Sequence, residues 1–338
     1  MESLSFDKRV SVVIPVYNAE DNIEPLLDAL LGQTRAPDEI ILIDDGSSDS
    51  SRAKIEAYLP KYSKIKYFFQ SNQGCAGARN SGWRKASGEV CVFTDDDCLP
   101  EPNWLEEMLK PFADPGISAV GGIYKTLRPQ IPMAAFIGLE FEYKYRKIEG
   151  EVDCHATYSL AVYRQVLEEV GGFNTKYGNP CADDWDLTYK ITYKHRLVVQ
   201  KSAVVGHYHP EKLWPYIRTQ YRRAINRIRL YQDHPLKKKG DSFTNPWIPF
   251  HLLATVAFFG LWPLYLSPIG AFKVAGLQIL CFLLSLDPGL SAYLFAKGGF
   301  KVGFYGAAAQ FLRNCSWILG IGSSYLELFR LKLARGSH

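Results

Sequence analysis

Two hydrophobic periods alternate along the first hundred residues. Val10–Val16 (VSVVIPV) and Glu39–Asp44 (EIILID) are short, nearly continuous apolar runs, the pattern of strands buried on both faces. Lys64–Phe69 (KIKYFF) and Glu89–Thr94 (EVCVFT) repeat that pattern. Between the first two runs, Ile23, Leu26, Leu27, Leu30 and Leu31 recur at helical spacing within residues 20–33. A second helical pattern covers 49–60, and a Gly-rich turn with a third helix precedes the fourth run. Strand and helix in alternation predict a parallel, Rossmann-like α/β sheet. Such sheets bind ligands beyond the carboxyl ends of their strands, so the residues that end each run are the ones to inspect.

The pattern changes after residue 210. Leu213, Trp214, Ile217, Tyr221, Ala224, Ile225, Ile228 and Tyr231 share one helical face, and Arg218, Arg222, Arg223, Arg227 and Arg229 cover the rest. This predicts a basic amphipathic helix over 211–240, lying in a membrane interface or packed on the front domain. From Ser242 to Phe272 there is no Asp, Glu, Lys or Arg. Pro246–Leu266 is long enough for a membrane span, Val274–Leu286 is a second candidate, and Val302–Leu326 a third, interrupted by Arg313. An arginine in mid-span is expensive, so Arg313 either faces protein or marks a segment that never reaches mid-bilayer. The expected organisation is a catalytic domain over 1–210, the basic helix over 211–240 and membrane-embedded helices over 241–335. No apolar run precedes Val10, so no leader peptide is expected.

Composition alone hides this division. The chain is 338 residues long, 47% hydrophobic, with a formal net charge of +4, which excludes a disordered or collagen-like chain. Its seven cysteines, an odd number without a Cys-x-x-Cys pair, argue against a disulfide framework or a zinc ribbon. By position, residues 1–210 are net acidic and 211–338 net basic. An acidic front and a basic, then apolar, back suggest a domain tied to a membrane, with no role for nucleic acid. The cationic cluster before the first span places the front domain on the cytoplasmic side, as part of a multi-pass protein of the cytoplasmic membrane.

The strand ends carry Pro15-Val16-Tyr17-Asn18, Asp44-Asp45-Gly46-Ser47, Asn72 through Arg79, and Asp95-Asp96-Asp97. No Gly-x-Gly-x-x-Gly follows the first strand, which speaks against a dinucleotide-binding dehydrogenase. Carboxylates at a strand end accept hydrogen bonds from a base or ribose, and a pair separated by one residue suits a divalent cation. Asp183 and Asp184 open a helical pattern, where they serve either as N-terminal caps or, for a carboxylate beside a carboxylate, as a general base. His207 is either a satisfied histidine or a third metal ligand.

The ordered set VVIPVYNAEDNI, IDDGSSDSS, NQGCAGARNSGW, FTDDDCLPEPNWL, VGGFN, ADDWDL and VVGHYHP resembles the family 2 glycosyltransferases of GT-A fold, over residues 8–230. The resemblance implies a Rossmann-like nucleotide-diphospho-sugar transferase domain. It implies a donor of UDP or GDP type contacted by Pro15, Tyr17, Asp44, Asp45, Asn72, Arg79, Asp95 and Asp96. Asp95 and Asp97 match the family's D-x-D, which with His207 would hold Mn²⁺ or Mg²⁺. Asp184 matches the catalytic base, and Asp183 stands where the family usually has Glu. Trp185, with Asp183, Gln220, Arg222, Arg223 and Arg227, falls on the expected acceptor and membrane side.

The implied reaction is inverting transfer of one sugar to a membrane-embedded or lipid-linked acceptor. Gln220-Tyr221-Arg222-Arg223-Ala224 keeps the Gln and Arg of the processive Q-x-x-R-W motif but has Ala for Trp, which disfavours a polysaccharide synthase. Polyprenyl-phosphate sugar synthases share the tail layout but continue differently after the Asp-rich motif. Outside this class stand a non-catalytic nucleotide-binding membrane scaffold and a glycoside hydrolase; the intact carboxylates oppose the first and the strand-end pattern the second.

Overall fold

The computed structural model describes residues 8–177, 182–266 and 270–335. In chain order its elements are β1 Val10–Val16, α1 Ile23–Leu31, β2 Glu39–Asp44, α2 Ser51–Glu56, β3 Ile65–Phe69, α3 Gly74–Lys85, β4 Val90–Thr94, β5 Cys98–Pro100, α4 Trp104–Leu109, β6 Ile117–Thr126 and α5 Pro132–Tyr145. They continue with β7 Glu151–Val152, β8 Ser159–Tyr163, α6 Arg164–Val170, α7 Asp183–Thr192, β9 Arg196–His207, α8 Leu213–Asp233, α9 Ile248–Gly260, α10 Ala271–Leu284 and α11 Pro288–Arg335. They form two compact units, one of residues through Leu127 with Tyr145–Tyr208, the other of Arg128–Lys144 with residues from His209 onward.

In the first unit the sheet order is β3-β2-β1-β4-β8-β6-β9-β5, with β7 on β9. The apolar runs read from the sequence become the parallel set β3-β2-β1-β4. Every residue of β1 and β2 is buried, as continuous apolar runs require. The other half departs from the expected all-parallel sheet: β8 runs antiparallel to both β4 and β6, and β5 is antiparallel to β9. The direct β-helix-β crossover rhythm stops at β4, so nothing obliges the later strands to run parallel. On one face α3 lies close against β1, because a Cβ at Gly82 would meet Val13 Cγ1 at 2.3 Å. Any larger residue there would push the helix off the sheet.

The start of β2 holds a buried carboxylate. Glu39 accepts hydrogen bonds from Ser11 Oγ at 2.5 Å, Ser87 N at 2.6 Å and Ser87 Oγ at 2.9 Å, and pairs with Lys66. Burial alone would raise its pKa, but these partners together outweigh burial and hold it at about 2. A folded-state pKa below the unfolded value stabilises the protein fully above the unfolded pKa, and that stabilisation is lost as pH falls through the folded one. The stake is on the order of 3 kcal/mol. Glu39→Gln is therefore expected to lower denaturant stability at neutral pH, and to flatten the loss of stability seen in the wild type as pH falls from the usual carboxylate range toward 2.

In the second unit, Met133, Phe136, Tyr216, Leu290, Leu294 and Ala309 share a core. Residues 128–144, expected within the front domain, belong here because the apolar side chains of α5 pack among these helices. The apolar face predicted for α8 is covered by protein only in part: Ala224 is buried and Ile217, Tyr221, Ile225 and Ile228 are half-buried, while Trp214 is 75% exposed; the buried Tyr216 and Leu230 lie beside that face. Ser316 Oγ donates to Ile217 O, Trp317 Nε1 to Gln220 Oε1, and Tyr221 OH to Ser323 Oγ, which binds α8 along α11. Arg313 pairs with the buried Glu140, so it faces protein. Among the described residues, Ile248–Leu266 is the one stretch long and apolar enough by itself to cross a membrane. Ala271–Leu284 meets that measure only together with Pro288–Arg330, across a bend of 79°.

Candidate active site

The carboxyl edge of the parallel strands gathers the predicted side chains of the first unit. Pro15 is buried inside β1, opposite Ile43 of β2. Tyr17, just beyond β1, is 53% exposed, and its N–H donates to Asp96 Oδ2 at 2.9 Å. Asp44 ends β2 and Asp45 follows it, and both are buried. Asp44 accepts from Ser47 N at 2.8 Å and Tyr67 OH at 2.7 Å, which shapes the turn through Gly46, whose φ of 85° favours glycine. Asp45 accepts from Gln70 Nε2 at 2.7 Å, Gln73 N at 2.9 Å and Gly74 N at 2.8 Å. Two of those donors are backbone groups at the start of α3, so Asp45 caps that helix from the end of a neighbouring strand. Asn72, exposed beside it, accepts from Gly74 N at 3.3 Å.

Arg79, on α3, joins two sequence regions. Its Nη2 pairs with Asp95 Oδ1 at 2.7 Å and its Nη1 with Asp183 Oδ2 at 2.9 Å, with the guanidinium stacked over Phe173 at 5.7 Å. The resemblance places Arg79 near a diphosphate; the structure places it between two carboxylates, with its side chain only 6% exposed. Burial raises the Asp183 pKa, and the adjacent Arg79 opposes that rise. Asp184, also buried, sits in the first turn of α7, and its Oδ1 accepts the Trp185 N–H at 2.9 Å. Trp185 is half-buried.

The Asp-rich turn follows β4. Burial pushes Asp96 up to about 7, with Asp97 and Asp95 adding to the rise and the Tyr17 N–H opposing it. Burial likewise raises Asp97, opposed by His207. The last contact comes from strand register: β5 and β9 pair Cys98 with His207, which sets His207 Nε2 3.5 Å from Asp97 Oδ1. Asp97, Cys98 and His207 each present one ligand atom, all within 4.8 Å of one another. This donor set fits a divalent cation through the Asp97 oxygen and the His207 nitrogen. The thiol of Cys98, pushed well up by burial, donates to Asp97 Oδ1 at 3.8 Å and remains neutral.

Cys98 and the rings of Tyr124 and Tyr158, at 5.3 and 6.4 Å from His207, belong to this cluster and escape the sequence reading. The only signal for Cys98 is its place beside the Asp triplet; the tyrosines carry none, since they approach through pairing of distant strands. Gln220, Arg222, Arg223 and Arg227 lie in the second unit. Gln220 is buried against Trp317, Arg222 and Arg223 are exposed, and Arg227 bonds Asp241 at 3.0 Å and Thr244 at 3.1 Å. Arg227 thereby ties down the segment after α8.

Half-parallel sheet, buried carboxylates at its carboxyl edge and a helix opening on an aspartate pair define a GT-A-type α/β transferase fold. Residues 11–171 match the model of Glycosyl transferase family 2. Glycosyltransferase AglE of Haloferax volcanii is 29% identical over 202 residues, 56% of this chain and 65% of AglE. The putative glycosyltransferase EpsH of Bacillus subtilis is 39% identical over 105 residues, 31% of this chain and 30% of EpsH. The matches thus span less than two thirds of either relative. Among solved structures, the mannosyltransferase PcManGT from Pyrobaculum calidifontis, in complex with GDP-Man and Mn²⁺, superposes with a TM-score of 0.63 at 22% identity, over 91% of this chain and 88% of that one. That likeness is one of fold. Residues 11–171 thus form a family 2 glycosyltransferase domain.

Proposed function

We propose that this chain moves one sugar, with inversion, from a nucleoside-diphosphate sugar of UDP or GDP type to a membrane-embedded or lipid-linked acceptor. The observation that carries the reading is the β5–β9 register, which sets His207 against Asp97 on the edge where Arg79 joins Asp95 to Asp183. Tyr17, exposed past β1, offers a ring to the base, and the loops shaped by Asp44 and Asp45 flank it. Asp184 takes the proton from an acceptor hydroxyl as its oxygen attacks the anomeric carbon opposite the leaving diphosphate. Asp95, Asp97 and His207 would hold Mn²⁺ or Mg²⁺, whose charge offsets that developing on the nucleoside diphosphate. No carboxylic acid need protonate the leaving group, so one base suffices where a glycosidase uses two carboxyls. PcManGT, with GDP-Man and Mn²⁺ on the same fold, supports the donor and cation classes. The apolar helix Ile248–Leu266 and the basic α8 support a seat on the cytoplasmic membrane face.

Thermal melting with UDP or GDP, with and without Mn²⁺, tests the binding half. A ligand at a hundredfold excess over its Kd adds about 2.7 kcal/mol, a rise of several degrees. The expected rise needs nucleotide and cation together, and Asp97→Asn or His207→Ala abolishes it. A melting point unmoved by either nucleotide with the cation would overturn the proposal.

A further inference from the structure

On the face of α11 turned away from α8, apolar side chains are exposed among the described residues. Phe304, Leu312, Leu319, Leu326, Phe329 and Leu333 are each exposed, from 39% at Leu312 to 68% at Phe304. The first four recur every seven or eight residues, which keeps them on one stripe. Small residues fill the helical positions between these four, and no charge interrupts the line from Phe304 to Leu326; Arg330 marks its end. At 1.5 Å per residue the stripe from Phe304 to Leu326 runs about 33 Å. Exposed apolar patches of this length mark an interaction site.

Three observations choose its occupant. Asn245, before α9, donates to Asp287 after α10 at 2.7 Å, and His251 meets Leu284 O at 3.0 Å. The α9–α10 hairpin therefore begins and ends at one level, and it too exposes apolar side chains, among them Leu253, Phe259, Ile279 and Leu280. Next, α10 and the segment Pro288–Arg330, which is broken at Gly299 (φ 70°), are bent by 79° from each other, so a hairpin directed along a bilayer normal leaves that segment nearly in the bilayer plane. Finally, α8 follows α11 from Ile217 at Ser316 to Arg229 at Glu327. An α11 that spanned the bilayer over 302–326 would carry Arg218, Arg222 and Arg223, all exposed, into hydrocarbon. With α11 in plane, those arginines and Lys238 and Lys239 stay in water or among anionic headgroups.

We propose that α11 is not a transmembrane span but an in-plane membrane helix, its apolar stripe in the acyl boundary of an anionic phospholipid leaflet, with the α9–α10 hairpin inserted beside it. The inference rests on the membrane seat proposed above and replaces the third span expected at Val302–Leu326.

The test uses the full chain, with a fluorescent amino acid placed at Phe304, Leu312, Leu319 or Leu326 in turn. Each variant is mixed with phosphatidylglycerol–phosphatidylcholine vesicles carrying a nitroxide either high or low on the acyl chain. All four sites are exposed, so replacement leaves the helix packing intact, which circular dichroism verifies. The expected result is stronger quenching by the shallow nitroxide, with a shallow-to-deep ratio constant within about twofold along α11. A ratio that reverses between the ends and the middle means a transmembrane helix and overturns the inference while leaving the membrane seat standing. Co-flotation without quenching, together with crosslinked dimers, assigns the stripe to a second copy of the chain and also overturns it. Failure to co-float overturns the membrane seat itself. None of these readouts requires turnover, so they are separate from the catalytic proposal.

Discussion

Asp184→Asn is expected to lower sugar transfer by about 10²–10⁴-fold while nucleotide binding is retained, the scale on which a positioned base contributes. The amide has nearly the volume of the carboxylate and still accepts the Trp185 N–H that Asp184 accepts at 2.9 Å. It cannot take a proton at neutral pH. The change thus removes a function without opening a cavity, and the loss should fall on kcat with KM for the donor little altered. Stopped assays of donor consumption, with melting in nucleotide and Mn²⁺ as the control, separate this from misfolding. Full activity in the amide variant would move the base elsewhere, and a nucleotide-binding scaffold would show no turnover to lose.

Arg79→Ala carries the largest expected cost in stability. Arg79 is buried and neutralises two carboxylates from distant parts of the chain, at 2.7 and 2.9 Å. Removing one partner of a buried ion pair costs about 3–5 kcal/mol, because the remaining charge stays buried and unpaired. For a unit of this size that is a fall on the order of 10 °C in melting temperature. Arg79→Lys keeps the charge but cannot reach both carboxylates with one planar fork, so it should fall between wild type and alanine. Combining Arg79→Met with Asp183→Asn removes one orphaned carboxylate and should recover part of the stability without recovering activity, since Asp183 borders Asp184. Equal melting temperatures for the wild type and Arg79→Ala would show that the bridge contributes nothing.

Much of this was legible in the sequence for physical reasons. Strands buried on both faces must be continuous apolar runs, so β1 and β2 appear at their observed bounds, Val10–Val16 and Glu39–Asp44. Strand ends in such a sheet face the ligand, which brings Asp45 and Asp95–Asp97 into view together. What the sequence hid depends on long-range pairing. β5 is three residues long and carries no periodicity, so the register that sets Cys98 opposite His207 cannot be read locally. The antiparallel entry of β8 is likewise a matter of topology rather than pattern. In the second unit, an amphipathic face announces that something covers it, not what. The apolar face of α8 predicts lipid equally well as protein, and the structure lays α11 beside part of it while leaving Trp214 exposed. Arg313 was readable only as an anomaly until Glu140, on a helix 173 residues earlier, became its partner.

The central claim is transfer of a sugar from a nucleotide donor, and product mass tests it most directly. The full chain is incubated with a panel of UDP- and GDP-sugars, Mn²⁺ and a membrane lipid extract, and the lipids are analysed by mass spectrometry. A lipid species heavier by one sugar residue is expected with a single donor, dependent on the cation and absent with Asp184→Asn. Donors left intact throughout, or hydrolysed without a glycosylated product, would contradict it.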